Sequence, residues 1–374
     1  MIKVVQVLGR LDRGGIETWL KDVIVNYDKN KFHIDFILMK EGNGAYDDIV
    51  KQYGSMLHII PLSLGLFRFG LCLYKKLRSE KYDVVHAHPH FFCGFVCMIA
   101  FFARVQCRIS HSHSDTLNTQ RKSSILKKIY YELQRVLISL FSTRKIACSD
   151  DAGYALFRNK RYEIIYCGVD FGKFREKKNL IVRENILSQY QISPDAIVIG
   201  HVGRYSYPKN HTFLIDIFSE IVKQVPNSYL FLIGEGELKK NIELKVEKLH
   251  LDNVVFLGGR DDVNLFMKHI FDIFLFPSLY EGLGLVLLEA QAAGLRCLIS
   301  DTIPREVNLI NESVCEYPLD KNSKEWANEL IKLLNSRKNI SDENISSILE
   351  KSPFSINYSI NSLQNLYISY GRDA

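Results

Sequence analysis

The stretch Phe276-Pro-Ser-Leu-Tyr-Glu-Gly-Leu-Gly-Leu-Val-Leu-Leu-Glu-Ala-Gln-Ala-Ala-Gly294 reads as a strand end, a glycine-rich turn and a helix. A short apolar run closes at Phe276, the turn carries Glu281, Gly282 and Gly284, and an apolar helix runs through Glu289 until Gly294 stops it. A helix begun this way aims unpaired backbone N–H groups, here from Gly284 through Leu285 to Val286, at any anion beside it. Glu289 stands among almost only apolar neighbours, where a carboxylate needs a partner; a pair of ribose hydroxyls would suit. Strand, tight turn and helix in that order form the repeating unit of a doubly wound α/β sheet.

Working outward, short β-branched runs alternate with amphipathic stretches along the chain. Ile2 to Leu8, Ile34 to Met39, Leu57 to Ile60, Val84 to Ala87, Arg108 to His111 and Lys145 to Cys148 make one series of expected strands. Ala196 to Val202, Tyr229 to Ile233, Val254 to Leu257, Ile273 to Phe276 and Cys297 to Ser300 make a second. This alternation predicts two parallel sheets, each wound on both faces. A chain of 374 residues is long for one core and suits two. We therefore expect an N-terminal domain over 1–175 and a C-terminal domain over 176–350. A closing helix over 351–374 would return to the N-terminal domain, with Ile356, Ile360, Leu363 and Tyr367 at helical spacing. Glu176 to Pro194, polar and without strand character, is expected to be a connection. Ligands of open α/β sheets bind beyond the carboxyl ends of the strands, so the residues that follow strands, in a cleft between the domains, carry the functional reading.

Composition is that of an ordinary globular protein, with 47% hydrophobic and 24% charged residues, which excludes disorder. The longest apolar run, Phe91 to Ala103, falls short of a bilayer span and reads as a buried helix. The N-terminus enters a strand directly and shows no signal-peptide pattern, so we expect a cytoplasmic protein. Eight scattered cysteines, none in a C-x-x-C pair and several inside apolar runs (Cys97, Cys148, Cys297), read as buried free thiols. The net charge of +6 is unevenly divided: residues 1–165 hold 25 Lys and Arg against 15 Asp and Glu, whereas the remainder is acidic. A basic half suits an anionic substrate, membrane or nucleic acid.

Two further segments follow strands. Gly14-Gly15 opens onto a helix and lets the backbone approach a phosphate or sugar, although a plain βα turn looks the same. Gly203-Arg204, followed by Lys209, can neutralise a pyrophosphate, the guanidinium as a planar clamp and the ammonium as a point charge. A solvated surface pair would have the same spacing.

The order P-S-x-x-E-G-x-G-x-x-x-x-E-A-x-A-x-G, with glutamates at 281 and 289, resembles the donor-site motif of the retaining glycosyltransferases of family 4, which have the GT-B fold. Gly203-Arg204 with Lys209 resembles the phosphate-binding pair of that family, Ile233-Gly234-Glu235-Gly236 its G-x-G turn, and Phe256-Leu257-Gly258 the strand end beside the base. Ile165-Tyr-Cys-Gly-Val-Asp170 resembles its I-x-N-G-V-D junction with Cys167 in place of Asn, which leaves a side-chain role at 167 in doubt. The resemblance covers nearly the whole chain. It implies an α/β GT-B protein, two Rossmann-like domains facing across a cleft, that moves a sugar from a nucleotide diphosphate sugar with retention. Uridine is the first choice of base, and no cofactor is implied. It further implies catalytic roles for His111, Glu281, Arg204 and Lys209, with Glu281 holding sugar hydroxyls. Donor contacts would come from Gly15, Gly203, Gly234, Gly258, Gly282, Gly284, Leu285, Val286 and Glu289. Gly14, His86, His88 and His113 would lie on the acceptor or sugar side. His111 is the match for the family's sugar-side histidine, with His113 second; a strand-end histidine bonded to backbone is the alternative.

His86-Ala-His88 and His111-Ser-His113 raise the question of zinc. We expect the two rings of each pair to project to opposite faces of its strand, so that neither pair chelates by itself and no metal is held. No Asp-x-Asp occurs in the chain, and the positive groups named above would take the metal's place on the pyrophosphate. Residues 121–145, with Arg121, Lys122, Lys127, Lys128, Arg135, Arg144 and Lys145 among apolar side chains, can form a basic amphipathic helix. Such a helix either rests on the anionic inner face of the cell membrane or packs on the core with a solvated basic side. Membrane contact would fit an undecaprenyl-diphosphate-linked saccharide acceptor in capsule, exopolysaccharide or O-antigen assembly. The basic stretch lacks interleaved stacking aromatics, so nucleic acid is not an expected partner. A sugar-nucleotide epimerase, a phosphorylase and a non-catalytic nucleotide-sugar-binding subunit remain as alternatives.

Overall fold

Thirteen strands in two sheets, all parallel, carry the described part of the chain in a computed structural model that describes residues 1–158, 161–336 and 341–369. The first sheet comprises β1 (Ile2–Leu8), β2 (Phe32–Leu38), β3 (Leu57–Ile59), β4 (Val84–Ala87), β5 (Cys107–Ser112), β6 (Arg144–Ala147) and β7 (Glu163–Ile164), in the order β3-β2-β1-β4-β5-β6-β7. The second comprises β8 (Ile197–Val202), β9 (Ser228–Ile233), β10 (Val254–Gly258), β11 (Ile273–Phe276), β12 (Arg296–Ser300) and β13 (Val314–Tyr317), in the order β10-β9-β8-β11-β12-β13. Parallel strands covered on both faces need apolar residues throughout, and Val4, Val5, Val7, Leu230, Phe231 and Leu232 are fully buried accordingly. Each sheet reverses its winding once, between β1 and β4 and between β8 and β11. The carboxyl ends flanking a reversal splay the following loops apart and leave a crevice, which is where such sheets bind ligands.

The chain divides into two compact units, Met1–Asp170 with the segment from Pro353 onward, and Phe171–Ser352. Helix Ile356–Ser369 belongs to the first unit and buries Ile356, Ile360, Leu363 and Tyr367 there. Tyr370, at the end of the expected tail helix, lies outside the described residues.

Two expectations need correction. Glu176 to Pro194 is more than a connection, because it contains helix Leu180–Gln189, started by the Asn179 side chain, which accepts from the N–H groups of Ile181 and Val182. Its anchor is polar: Arg183 is buried and donates to Asp272 (2.9 Å) and to the carbonyls of Ala196 (2.6 Å) and Pro194 (3.2 Å). An apolar-periodicity search overlooks a helix held in this way. Residues 121–145 likewise do not form one basic helix. The helix spans Ile125–Phe141, and Arg144 and Lys145 lie in β6. Arg135 is buried and donates to Gln120 Oε1 (2.5 Å) and to the Ala155 carbonyl (3.0 Å). The polar side of this helix thus faces inward through Gln134 and Arg135, while Leu126 (79% exposed), Ile129, Leu133, Val136 and Leu140 face outward. Among the described residues no helix is long and apolar enough to cross a membrane.

Candidate functional site

In the second unit the crevice is built from the ends of β8, β9, β10 and β11. β8 runs into Gly203-Arg204, and the one-turn 3₁₀ helix Tyr207–Lys209 brings Lys209 back over the strand end. The Lys209 stem lies against Gly203, where a β-carbon would come within 3.1 Å of Lys209 Cδ. Its ammonium is 4.8 Å from the centre of the Phe276 ring and 2.8 Å from Glu281 Oε1. The two charged side chains are only 18% and 11% exposed, so the pair sits where water screens it weakly. Lys209 and Glu281, 72 residues apart and assigned above to diphosphate and sugar, are therefore bonded to each other here. A ligand entering this crevice finds an ammonium and a carboxylate already ordered. Arg204, close by in sequence, is exposed.

Glycine is required at several lining positions. Gly234 packs so tightly behind Gly203 that a β-carbon would fall 2.0 Å from the Gly203 carbonyl oxygen. Gly258 ends β10 at φ +68°, and Gly284 caps helix Leu285–Ala292 in the left-handed region at φ +83°. Gly282 lies between Glu281 and that cap, and Leu285 and Val286 supply the first helical N–H groups, which have no partner within the helix. Glu289 is half-buried in the same helix. The second unit thus gathers Arg204, Lys209, Glu281, Glu289 and the glycines at 203, 234, 258, 282 and 284. Gly14 and Gly15 lie instead in the first unit, at the start of helix Gly15–Asn26 after β1.

The first unit gathers all four histidines. His86 is the penultimate residue of β4 and His111 that of β5, and all four rings pack together: His86 on His88 at 4.3 Å and His111 on His113 at 3.8 Å between centroids. The expectation that each pair diverges is wrong, because residues two apart on a strand share a face. His86 Nε2 lies 3.1 Å from His111 Nδ1, and His88 Nδ1 lies 2.8 Å from His113 Nε2. Burial holds all four imidazoles well below their usual pKa, so they are neutral. Ligand atoms of His86, His88 and His111 come within 4.8 Å of one another, close enough to converge on one ion, yet most of these nitrogens are already engaged with neighbours. Trp19, one turn into helix Gly15–Asn26, meets the His111 ring edge-on at 5.6 Å. Cys167 is buried with Sγ 3.6 Å from His113 Nδ1, which gives that side chain a partner.

Several residues at these sites escaped the sequence reading. Gln6 and Tyr367 bond directly to the histidines. In the second unit His201, on β8 two residues before Gly203, donates through Nδ1 to the Leu275 carbonyl (2.9 Å) and keeps a buried Nε2 with no partner among the described residues. Burial pushes the pKa of neighbouring His211 down to about 4. Ser278 Oγ, between Phe276 and Glu281 in sequence, is buried without a partner among the described residues. The available signal was position, since His201, His86 and His111 all occupy the carboxyl end of a central strand.

A family model described as "Glycosyl transferases group 1" matches residues 182–348, and one described as "Glycosyltransferase Family 4" matches residues 13–173. A Bacillus subtilis protein named as the glycosyltransferase EpsF is 33% identical over 87% of this chain and 86% of its own. The capsular polysaccharide biosynthesis glycosyltransferase CapH of Staphylococcus aureus is 27% identical over 99% of both chains. An Escherichia coli UDP-Gal:α-D-GlcNAc-diphosphoundecaprenol α-1,3-galactosyltransferase is 26% identical over 80% of this chain and 78% of its own. Among solved structures, Anabaena HepE in complex with UDP and glucose superposes with a TM-score of 0.82 at 19% identity, covering 99% of this chain and 100% of that one.

Proposed function

The chain belongs to glycosyltransferase family 4, with the GT-B fold, and on that footing we propose that it makes a bacterial surface polysaccharide such as capsule. It transfers a sugar from a uridine diphosphate sugar to a saccharide carried on undecaprenyl diphosphate, with retention of anomeric configuration and without a metal. The observation that carries this reading is the ordered Lys209–Glu281 pair over Gly203, beside the helix N-terminus at Leu285. Lys209, Arg204 and the first N–H groups of that helix take up the negative charge that grows on the leaving diphosphate. Glu281 accepts hydrogen bonds from the sugar hydroxyls, and Glu289 from the ribose. The donor and acceptor classes are those in the names of the relatives: HepE is described with UDP, and the E. coli enzyme is named for a diphosphoundecaprenol acceptor. The test is release of UDP from UDP-sugars with and without a lipid-linked acceptor, in EDTA. Glu281→Ala and Lys209→Ala should each abolish it while circular dichroism is unchanged, and full activity in both would overturn the assignment.

A lipid-linked acceptor asks for a membrane surface, and helix Ile125–Phe141 offers one. Its outward stripe of Leu126, Ile129, Leu133, Val136 and Leu140 is flanked by exposed Arg121, Lys122, Lys127 and Lys128. Apolar side chains entering the interface beside cations that meet anionic headgroups are how a helix lies on a membrane. Flotation with anionic vesicles should carry the protein upward, and failure to float would remove this part of the reading.

A further inference from the structure

Gln6 imposes a single polarity on a chain of hydrogen bonds that runs through all four histidines. Its side chain is buried on β1, with the carbonyl oxygen 2.7 Å from His88 Nε2 and the amide nitrogen 3.2 Å from the Tyr367 hydroxyl. A carboxamide oxygen can only accept and its nitrogen can only donate. His88 therefore carries its proton on Nε2, and its bare Nδ1 accepts from His113 Nε2 at 2.8 Å. His113 Nδ1 in turn accepts from the Cys167 thiol at 3.6 Å. On the other arm the Gln6 amide occupies the Tyr367 oxygen, so the phenolic proton goes to His86 Nδ1 at 2.8 Å. His86 must then donate from Nε2 to His111 Nδ1 at 3.1 Å. The proton of His111 is left on Nε2, a buried nitrogen with no partner among the described residues. Every link is needed: reversing any one leaves two protons or two lone pairs facing each other. Each ring holds one proton, as neutral imidazoles in this buried cluster should.

We propose that Tyr367 and His86 are positioning residues that fix His111 as the Nε2–H tautomer. The bearing of that tautomer on turnover rests on the donor reading above. A buried N–H without an acceptor costs about 1–3 kcal/mol, so the tautomer stands because the relay leaves the proton no other place. His111 offers no lone pair on that nitrogen and cannot act there as a base. The C-terminal helix is thereby part of the site. Its Tyr367 sets the tautomer, and its Ser359 accepts from Trp19 Nε1 (2.9 Å) while donating to the Tyr166 carbonyl (2.9 Å), which pins the indole edge-on to His111.

The test is long-range ¹⁵N–¹H correlation NMR on the full chain labelled with [¹⁵N]histidine, with signals assigned by single His→Gln variants. We expect the Nε2–H signature at His86, His88, His111 and His113. Tyr367→Phe should leave His88 and His113 unchanged and give mixed tautomers at His86 and His111. It should lower kcat/KM for the donor about tenfold, the worth of one neutral hydrogen bond, with UDP affinity retained. An Nδ1–H signature at His111, unchanged His111 signals in Tyr367→Phe, or a stoichiometric metal ion in the purified protein would overturn the relay. The tautomers are read without substrate, so a chain that transfers no sugar would sink the donor reading and leave the relay standing.

Discussion

The two crevices solve the same problem of placement with opposite chemistry. In the second unit the groups are charged, half-buried and bonded across 72 residues of sequence, Lys209 to Glu281, on a floor of glycines. In the first they are neutral, buried and joined end to end from Cys167 to His111. A charged pair binds strongly but without direction, so its aim comes from the rigid backbone beneath it. A neutral hydrogen-bond chain is weak link by link, yet each proton position dictates the next. The first arrangement suits charge developing on a diphosphate, and the second suits orientation of an uncharged sugar.

If the histidine cluster is neutral because it is buried, acid should break it first. The four folded-state pKa values are depressed, so below the ordinary imidazole value of 6.5 the unfolded chain binds protons that the folded chain refuses. Stability is then fully present above pH 6.5 and falls as the pH drops below it, with each histidine adding a slope of up to about 1.4 kcal/mol per pH unit. Urea midpoints between pH 7.5 and 5.5 should fall steeply, and His88→Gln with His113→Gln should flatten the dependence. A dependence that those two changes leave unaltered would place the lost stability elsewhere.

The charged crevice should break through turnover before stability. Lys209→Met keeps the stem against Gly203 and Phe276 but removes the ammonium and strands Glu281. We expect kcat to fall about 10²–10³-fold, the loss that follows removal of one donor to developing negative charge. The glycine floor comes next. In Gly234→Ala the new methyl meets backbone atoms of Gly203, which cannot rotate away, so a stability loss of about 1–3 kcal/mol is expected with weaker UDP binding. An unchanged denaturation midpoint would show that the floor can shift.

The contrast also explains what the sequence made legible. Strand runs such as Ile2–Leu8 and Ile273–Phe276 announce themselves because both faces of a parallel strand are apolar, whereas Glu163–Ile164 and Val314–Tyr317 are short, incompletely buried and silent. Helix Leu180–Gln189 is held by Arg183, and polar anchoring leaves no periodicity. The amphipathic pattern over 125–140 is plain in the sequence, but which side faces the core is decided by the buried Arg135 and Gln120, which only the fold brings together. Glu281, Gly282 and Gly284 are readable because their motif is contiguous, and Lys209 with the glycines at 203, 234 and 258 because each lies at or soon after a strand end. The histidine cluster is assembled from β1, β4, β5, the segment after β7 and the C-terminal helix, so Gln6 and Tyr367 carry no mark of their function.

The smallest expected effect lies at the end of one arm of the relay. Cys167 stands where the family resembled has Asn, and its thiol faces His113 Nδ1 at 3.6 Å from within the core. A thiol is a weak donor, and what the relay needs from it is a proton pointing at that nitrogen. Cys167→Ser keeps the donor in a slightly smaller side chain and should change stability by less than about 0.5 kcal/mol. Cys167→Ala removes the donor and leaves a buried lone pair, which should cost about 1 kcal/mol. The relay predicts that His113 keeps the Nε2–H tautomer in both variants, because the bare Nδ1 of His88, fixed by Gln6, goes on accepting that proton. If serine and alanine gave the same urea midpoint, Cys167 would be packing and nothing more, and that arm of fixed protons would end at His113.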